Sequence, residues 1–142
     1  MKDDFQNCLD KKKIIPSPSM VNFVEKELKI AFSDLAEAED RFEHHSFKWC
    51  TVTAYYAMFH AARSLLYSKG YKERSHYCLS AALHDLFVNS GTMEARLIRA
   101  FSNAMRLRED ADYADEYSED GARQALEKAK EFLGVARGIL EV

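Results

Sequence analysis

Apolar residues recur at helical spacing along nearly the whole chain, with polar residues between them. Val24, Leu28, Ala31, Leu35, Ala38 and Phe42 alternate steps of four and three, which predicts one buried stripe on a helix from about Met20 to His44. Val52, Tyr55, Tyr56, Phe59, Ala62 and Leu66 define a second helix, about Phe47 to Lys69. Gly70 is placed to end it in the left-handed conformation. Ser75 is placed to cap a third helix reaching about Asn89, with Leu79, Ala82, Leu83, Leu86 and Phe87 inward. After Gly91, Thr92 can cap a fourth helix that turns Leu97, Ile98, Phe101, Ala104 and Met105 inward and continues into Arg106–Tyr113. A fifth follows Ser118, with Glu119 and Asp120 in the first turn, where the helix dipole favours carboxylates. No useful strand-like alternation interrupts the series, and short connections make neighbouring helices antiparallel. The pattern predicts an all-α fold, an up-and-down antiparallel helical bundle of four long helices plus a shorter one.

Composition sharpens the boundaries. With 142 residues the chain suits one domain with a single core. Both prolines lie in the first 18 residues, so long uninterrupted helices are favoured afterwards. Residues 1–18 are expected to be an irregular N-terminal arm ending at Pro16-Ser17-Pro18, and residues 19–142 the bundle domain. The formal net charge of −3 supplies no global field for nucleic acid, so any RNA contact has to come from a local patch or an oligomer groove. No stretch matches a signal peptide or a membrane span, which leads us to expect a cytoplasmic protein with no membrane partner. Cys8, Cys50 and Cys78 are odd in number and match no zinc spacing; Cys50 and Cys78 read as small core residues in a reduced compartment. The chain has no HExxH, CxxC, GxGxxG or P-loop pattern, so neither a metal nor a cofactor is expected.

Three constellations carry candidate chemistry. Tyr56, His60 and Arg63 are spaced i, i+4, i+7 on one side of the second helix. An aromatic, an imidazole and a guanidinium in a row can hold a phosphate and a stacked base; they can equally form an internal polar seam with acids such as Asp34 or Glu37. Arg74, Ser75 and His76 surround a helix N-terminus, which suits either an anion site or an ordinary cap. Arg106, Arg108, Glu109, Asp110, Asp112 and Tyr113 end the fourth helix and read as an ion-pair network or as a phosphate clamp with oriented arginines.

Tyr55–Arg63 (YYAMFHAAR), Gly70 followed by Ser75-His76, and Arg108–Tyr113 (REDADY) resemble the motifs of a compact, stand-alone branch of HEPN-domain proteins. Asp34–Phe42 (DLAEAEDRF) fits the first helix of that family, and the resemblance spans about residues 20–140. It implies a helical bundle that dimerises around a groove. It also implies a genetic partner of the nucleotidyltransferase type, the two forming a toxin–antitoxin module. Active HEPN toxins are metal-independent ribonucleases in which an arginine steadies the phosphate and a histidine, after four to six intervening residues, moves protons. No arginine of this chain has a histidine at that spacing; Arg108 is followed instead by Tyr113, whose phenol is a poor base at neutral pH.

These readings converge on a regulatory, nucleotide- or RNA-binding homodimer, with Arg63, His76, Arg108 and Tyr113 in its groove and Tyr56, Ser75 and Asp112 as further ligand contacts. The alternative is an endoribonuclease with a rearranged site, Arg108 stabilising the phosphate and His60 or His76 acting as acid or base. A ligand-free structural partner is the third reading. Tyr113 or Tyr117 is also a candidate acceptor for a nucleotide transferred by the partner.

Overall fold

The computed structural model describes residues 2–141, so residues 1 and 142, the outer ends of the two expected segments, lie outside the described residues. Four long helices form the bundle: α2 (Val24–Glu43), α3 (Phe47–Ser68), α5 (Ala95–Tyr113) and α6 (Glu119–Leu140). Two shorter helices, α1 (Lys2–Asp10) and α4 (His76–Leu83), pack at one side, and α4 runs on into a π-helical turn, His84–Val88. The expected all-α bundle is therefore present, with one additional helix at its N-terminus.

Helix α3 is the axis of the fold and packs against α2, α5 and α6. Its buried residues, Cys50 through Tyr67, lie around most of its circumference rather than along one stripe, as a central helix requires. Close approach is permitted by alanines with no exposed surface, among them Ala31 and Ala38 on α2, Ala54, Ala57 and Ala61 on α3, and Ala129 and Ala136 on α6. Phe101 and Phe132 fill the space between α5 and α6, their ring centroids 5.7 Å apart.

Residues 2–18 are not irregular. α1 is followed by a short strand, β1 (Ile14–Pro16), which pairs antiparallel with β2 (Tyr71–Glu73), and then by a 3-10 helix, Pro18–Phe23. Each strand is three residues long, too short for period-two alternation to be visible in the sequence. Ile14 is fully buried by this pairing, and the Phe5 ring meets Tyr71 edge-on at 5.6 Å.

The cysteines correct a second expectation. Cys78 is not a free core thiol but is disulfide-bonded to Cys8, their Cα atoms 5.7 Å apart because α1 lies against α4. Cys50 remains free and buried, and desolvation pushes its thiol up to about 11, which leaves it unreactive near neutral pH.

Local capping follows the sequence in most places. Ser75 Oγ accepts from Cys78 N (3.3 Å) and Ser118 Oγ from Gly121 N (2.9 Å). The exception is α5, which begins at Ala95 rather than near Met93; Thr92 Oγ1 pairs with Ser90 Oγ at 3.0 Å and caps nothing. Gly70, at φ +77°, carries the chain from α3 into β2 and accepts from Ser17 N (2.7 Å). Gly70→Ala is expected to lower unfolding free energy by about 1 kcal/mol through its left-handed backbone, a loss that urea denaturation will measure. Space is not the cause, since an added Cβ would meet only Pro18 Cα at 3.7 Å.

Candidate functional site

The constellation on α3 divides between two neighbours. Seven residues span about 10 Å of helix, enough for Tyr56 and Arg63 to face different elements. His60 and Arg63 turn to the start of α2 and to β2. His60 Nδ1 lies 3.3 Å from Glu27 Oε1, and its Nε2 lies 3.9 Å from Asp34 Oδ2. Arg63 pairs with Glu27 (3.1 Å) and with Glu73 (3.4 Å), and its Nη2 donates to the Tyr67 hydroxyl. Burial opposes the charge on Glu27, yet the His60 hydrogen bond and Arg63 together hold its carboxyl below the ordinary range. This is the internal polar seam, with Asp34 among its acids as anticipated and Glu27 and Glu73 in the larger part. Tyr67 is buried here, whereas Tyr77, beyond β2, is exposed.

Tyr56 turns the other way, to the end of α5. Arg108 Nη2 donates to the Tyr56 hydroxyl at 2.7 Å. The guanidinium carbon stands 5.3 Å from the ring centroids of both Tyr56 and Tyr113, and 5.8 Å from that of Tyr55. Asp112, one turn on, approaches at 3.7 Å, too far for a good hydrogen bond. Arg108 Nε is buried without a partner among the described residues. The segment Arg106–Tyr113 is thus no extended ion-pair network. It supplies one arginine, held among three tyrosine rings and keeping donors free for a ligand.

His76, the first residue of α4, joins this cluster through Tyr55. Tyr55 Oη and His76 Nδ1 are 2.6 Å apart, and the imidazole stacks on Phe59 with centroids 4.7 Å apart. Burial pushes the Tyr55 phenol above its ordinary range, so it stays protonated and its proton needs an acceptor. We assign His76 Nδ1 as that acceptor, since the Tyr55 hydroxyl has no other hydrogen-bond partner among the described residues, which places the neutral ring's proton on Nε2. Burial and the nearby Arg108 charge likewise hold the imidazole below its ordinary value. His76 Nε2–H is therefore a donor, and the cluster offers an anion two kinds of N–H, from Arg108 and from His76. The Ser75 hydroxyl accepts the α4 cap bond from Cys78 N, which leaves its O–H free to donate.

This histidine gives the protein a pH signature with a definite sign. The unfolded imidazole titrates near 6.5, the folded one lower, so the native state binds fewer protons between those values. Stability is expected to fall as pH drops through about 6.5, and His76→Gln to flatten that part of a urea-denaturation series. Glu27, whose folded carboxyl lies below 4.5, adds its own loss only at more acid pH.

Sequence reasoning treated Tyr55 and Phe59 as core and did not see their part in the site. The available signal was the hydroxyl of Tyr55, since a buried tyrosine has to find a partner. Among the described residues no three His, Cys, Asp or Glu side chains converge to hold a metal ion, and no helix is long and apolar enough to cross a membrane.

The all-helical bundle, with an arginine held at the end of its fifth helix, is consistent with the HEPN resemblance of the sequence. The HEPN domain model matches residues 24–140, and the chain belongs to the HEPN family. A relative in Methanocaldococcus jannaschii, named as a candidate toxin, is 31% identical over 107 residues, covering 75% of this chain and 80% of that protein. A UPF0332 protein of Archaeoglobus fulgidus is 33% identical over 121 residues, 80% of this chain and 93% of the relative. A UPF0332 protein of Pyrococcus horikoshii is 39% identical over 71 residues, half of each chain.

Proposed function

We propose that this protein is the HEPN component of a toxin–antitoxin-type pair, a homodimer that holds nucleotide or RNA against Arg108 and is regulated by a nucleotidyltransferase-type partner. Family membership and the toxin name given to the Methanocaldococcus jannaschii relative support the module. The observation that carries the binding reading is Arg108 itself: its guanidinium makes one hydrogen bond, to Tyr56, which fixes its orientation, and its nearest carboxylate, Asp112, stays 3.7 Å away, so its charge is left for a ligand. Such a guanidinium suits a phosphate, and Tyr113, 74% exposed, offers a ring face to a base. Tyr113 and Tyr117 are both exposed and thus reachable acceptors for a nucleotide donated by the partner. Intact-mass measurement after co-expression with such a partner will read a nucleotide-sized increment, and an unchanged mass would remove this part of the proposal.

The second reading, a metal-independent endoribonuclease, draws on His76 and Arg108 both meeting Tyr55. Acting as a base would require its proton to move from Nε2 to Nδ1 and the Tyr55 hydrogen bond to reverse. His60 is a poorer choice because Glu27 and Asp34 occupy it. Incubation with several RNAs in chelator separates the two readings. Retention without cleavage, at excess protein, is the expected result. Cleavage abolished in both Arg108→Ala and His76→Ala would put the endoribonuclease first.

A further inference from the structure

The segment before residue 24 lies outside the matched family domain, yet it is fastened to the element that supplies His76. The disulfide joins Cys8 of α1 to Cys78 of α4, two residues beyond His76. Among the described side chains of α1, Phe5 and Cys8 are buried, Leu9 packs part-buried against the core, and an exposed hydrogen bond, Tyr77 Oη to Asp4 Oδ2 at 3.0 Å, links its first turn to α4. Nine residues are too few for a helix to persist alone in water. The next segment is held independently: Ile14 is buried, β1 pairs with β2, and Arg74 N donates to Lys13 O at 2.8 Å. Release of α1 therefore stops at the exposed run Lys11–Lys13.

We propose that Cys8–Cys78 is a redox clasp: its reduction frees α1 from α4 and loosens the N-terminal turn of α4 that carries His76. A dithiol reductant supplies the electrons. The Sγ–Sγ bond breaks, each cysteine sulfur gains one electron and one proton, and the dithiol becomes its own disulfide. The released helix uncovers the ring of Tyr71, against which Phe5 packs, and one side of a groove of about 250 Å³ lined by Asp4, Tyr77, Ser80, Ile98 and Met105. The consequence at His76 rests on the binding site proposed above, but the release of α1 does not.

Hydrogen exchange on the full chain, with and without a dithiol, tests the clasp without any ligand. Amides of residues 6–10 are expected to exchange about tenfold faster or more after reduction, while those of α3 and α6 keep their protection. Cys8→Ser should show the fast exchange from the start and respond no further to dithiol. The His76 imidazole resonances should shift on reduction in the parent chain and stay fixed in Cys8→Ser. Unchanged protection of α1 on reduction would overturn the proposal, and so would alkylation of both cysteines in the unreduced protein. Loss of protection in every helix together would also overturn it, because the bond would then hold the fold and not a clasp. If α1 is released as expected but neither redox form binds RNA, the clasp stands and the binding site fails.

Discussion

Arg108→Ala is expected to weaken binding of a short RNA by about 10- to 100-fold, the cost of removing charge-assisted hydrogen bonds to one phosphate. Fluorescence anisotropy in chelator at fixed ionic strength measures the change. The effect on folding should be smaller, about 1 kcal/mol, because the deletion removes packing from three tyrosines and leaves the Tyr56 hydroxyl without its donor. Arg108→Lys separates charge from geometry. The ammonium retains a cation at the site but cannot reproduce the planar fork, so an intermediate loss is expected. Equal affinity in the alanine variant would place the nucleic-acid contact elsewhere, with the exposed Arg106 and the half-buried Arg123 as the next cations to test.

The second large effect is on stability. Phe101→Ala should lower unfolding free energy by about 3–5 kcal/mol, the range for emptying a buried phenylalanine site. Phe101 is 2% exposed and stacks on Tyr55 at 5.8 Å with its ring almost parallel, besides meeting Phe132. Its removal leaves a cavity where α3, α5 and α6 meet and takes one face of support from Tyr55. Tyr55 in turn holds the His76 tautomer, so RNA affinity of the folded variant should also fall. Phe101→Leu keeps most of the volume and should recover most of the stability, without the stacking face. Chemical denaturation with affinity measured below the unfolding transition distinguishes the two losses.

The bundle was legible because its helices obey one period over long stretches. The stripe Val24 to Phe42 is an inward face in the structure, apart from the part-exposed Val24 and Phe42 at the ends of α2. Gly70 and Gly91 also take the positive φ that their positions imply. The N-terminal segment was not legible. Two prolines within three positions read as a breaker, but β1 ends at Pro16, where the ladder asks for no further donor, and Pro18 opens a 3-10 helix whose first amide needs no partner. The disulfide was hidden by an odd cysteine count, which gives no pairing without knowing that α1 lies on α4.

The site was legible in its residue types and not in its partnerships. Helical spacing put Tyr56, His60 and Arg63 on one side of α3, yet which of them pair with acids depends on what packs at each level. Glu27, a buried carboxylate near the start of α2, claims His60 and Arg63 and leaves Tyr56 to Arg108. No local pattern could announce that Glu73 would reach Arg63 from β2, or that the hydroxyl of a core tyrosine would meet a histidine 21 residues away.

The most direct test of Arg108 as the phosphate contact is an NMR titration of its side-chain Nε–H with a nucleoside monophosphate and then a short RNA, both in chelator. The Arg108 Nε–H resonance should shift and the His76 Nε2–H should move with it, while the Arg63 Nε–H, facing Glu73, stays in place. Binding that perturbs Arg106, Arg123 or Lys128 and leaves Arg108 and His76 unmoved would contradict the account.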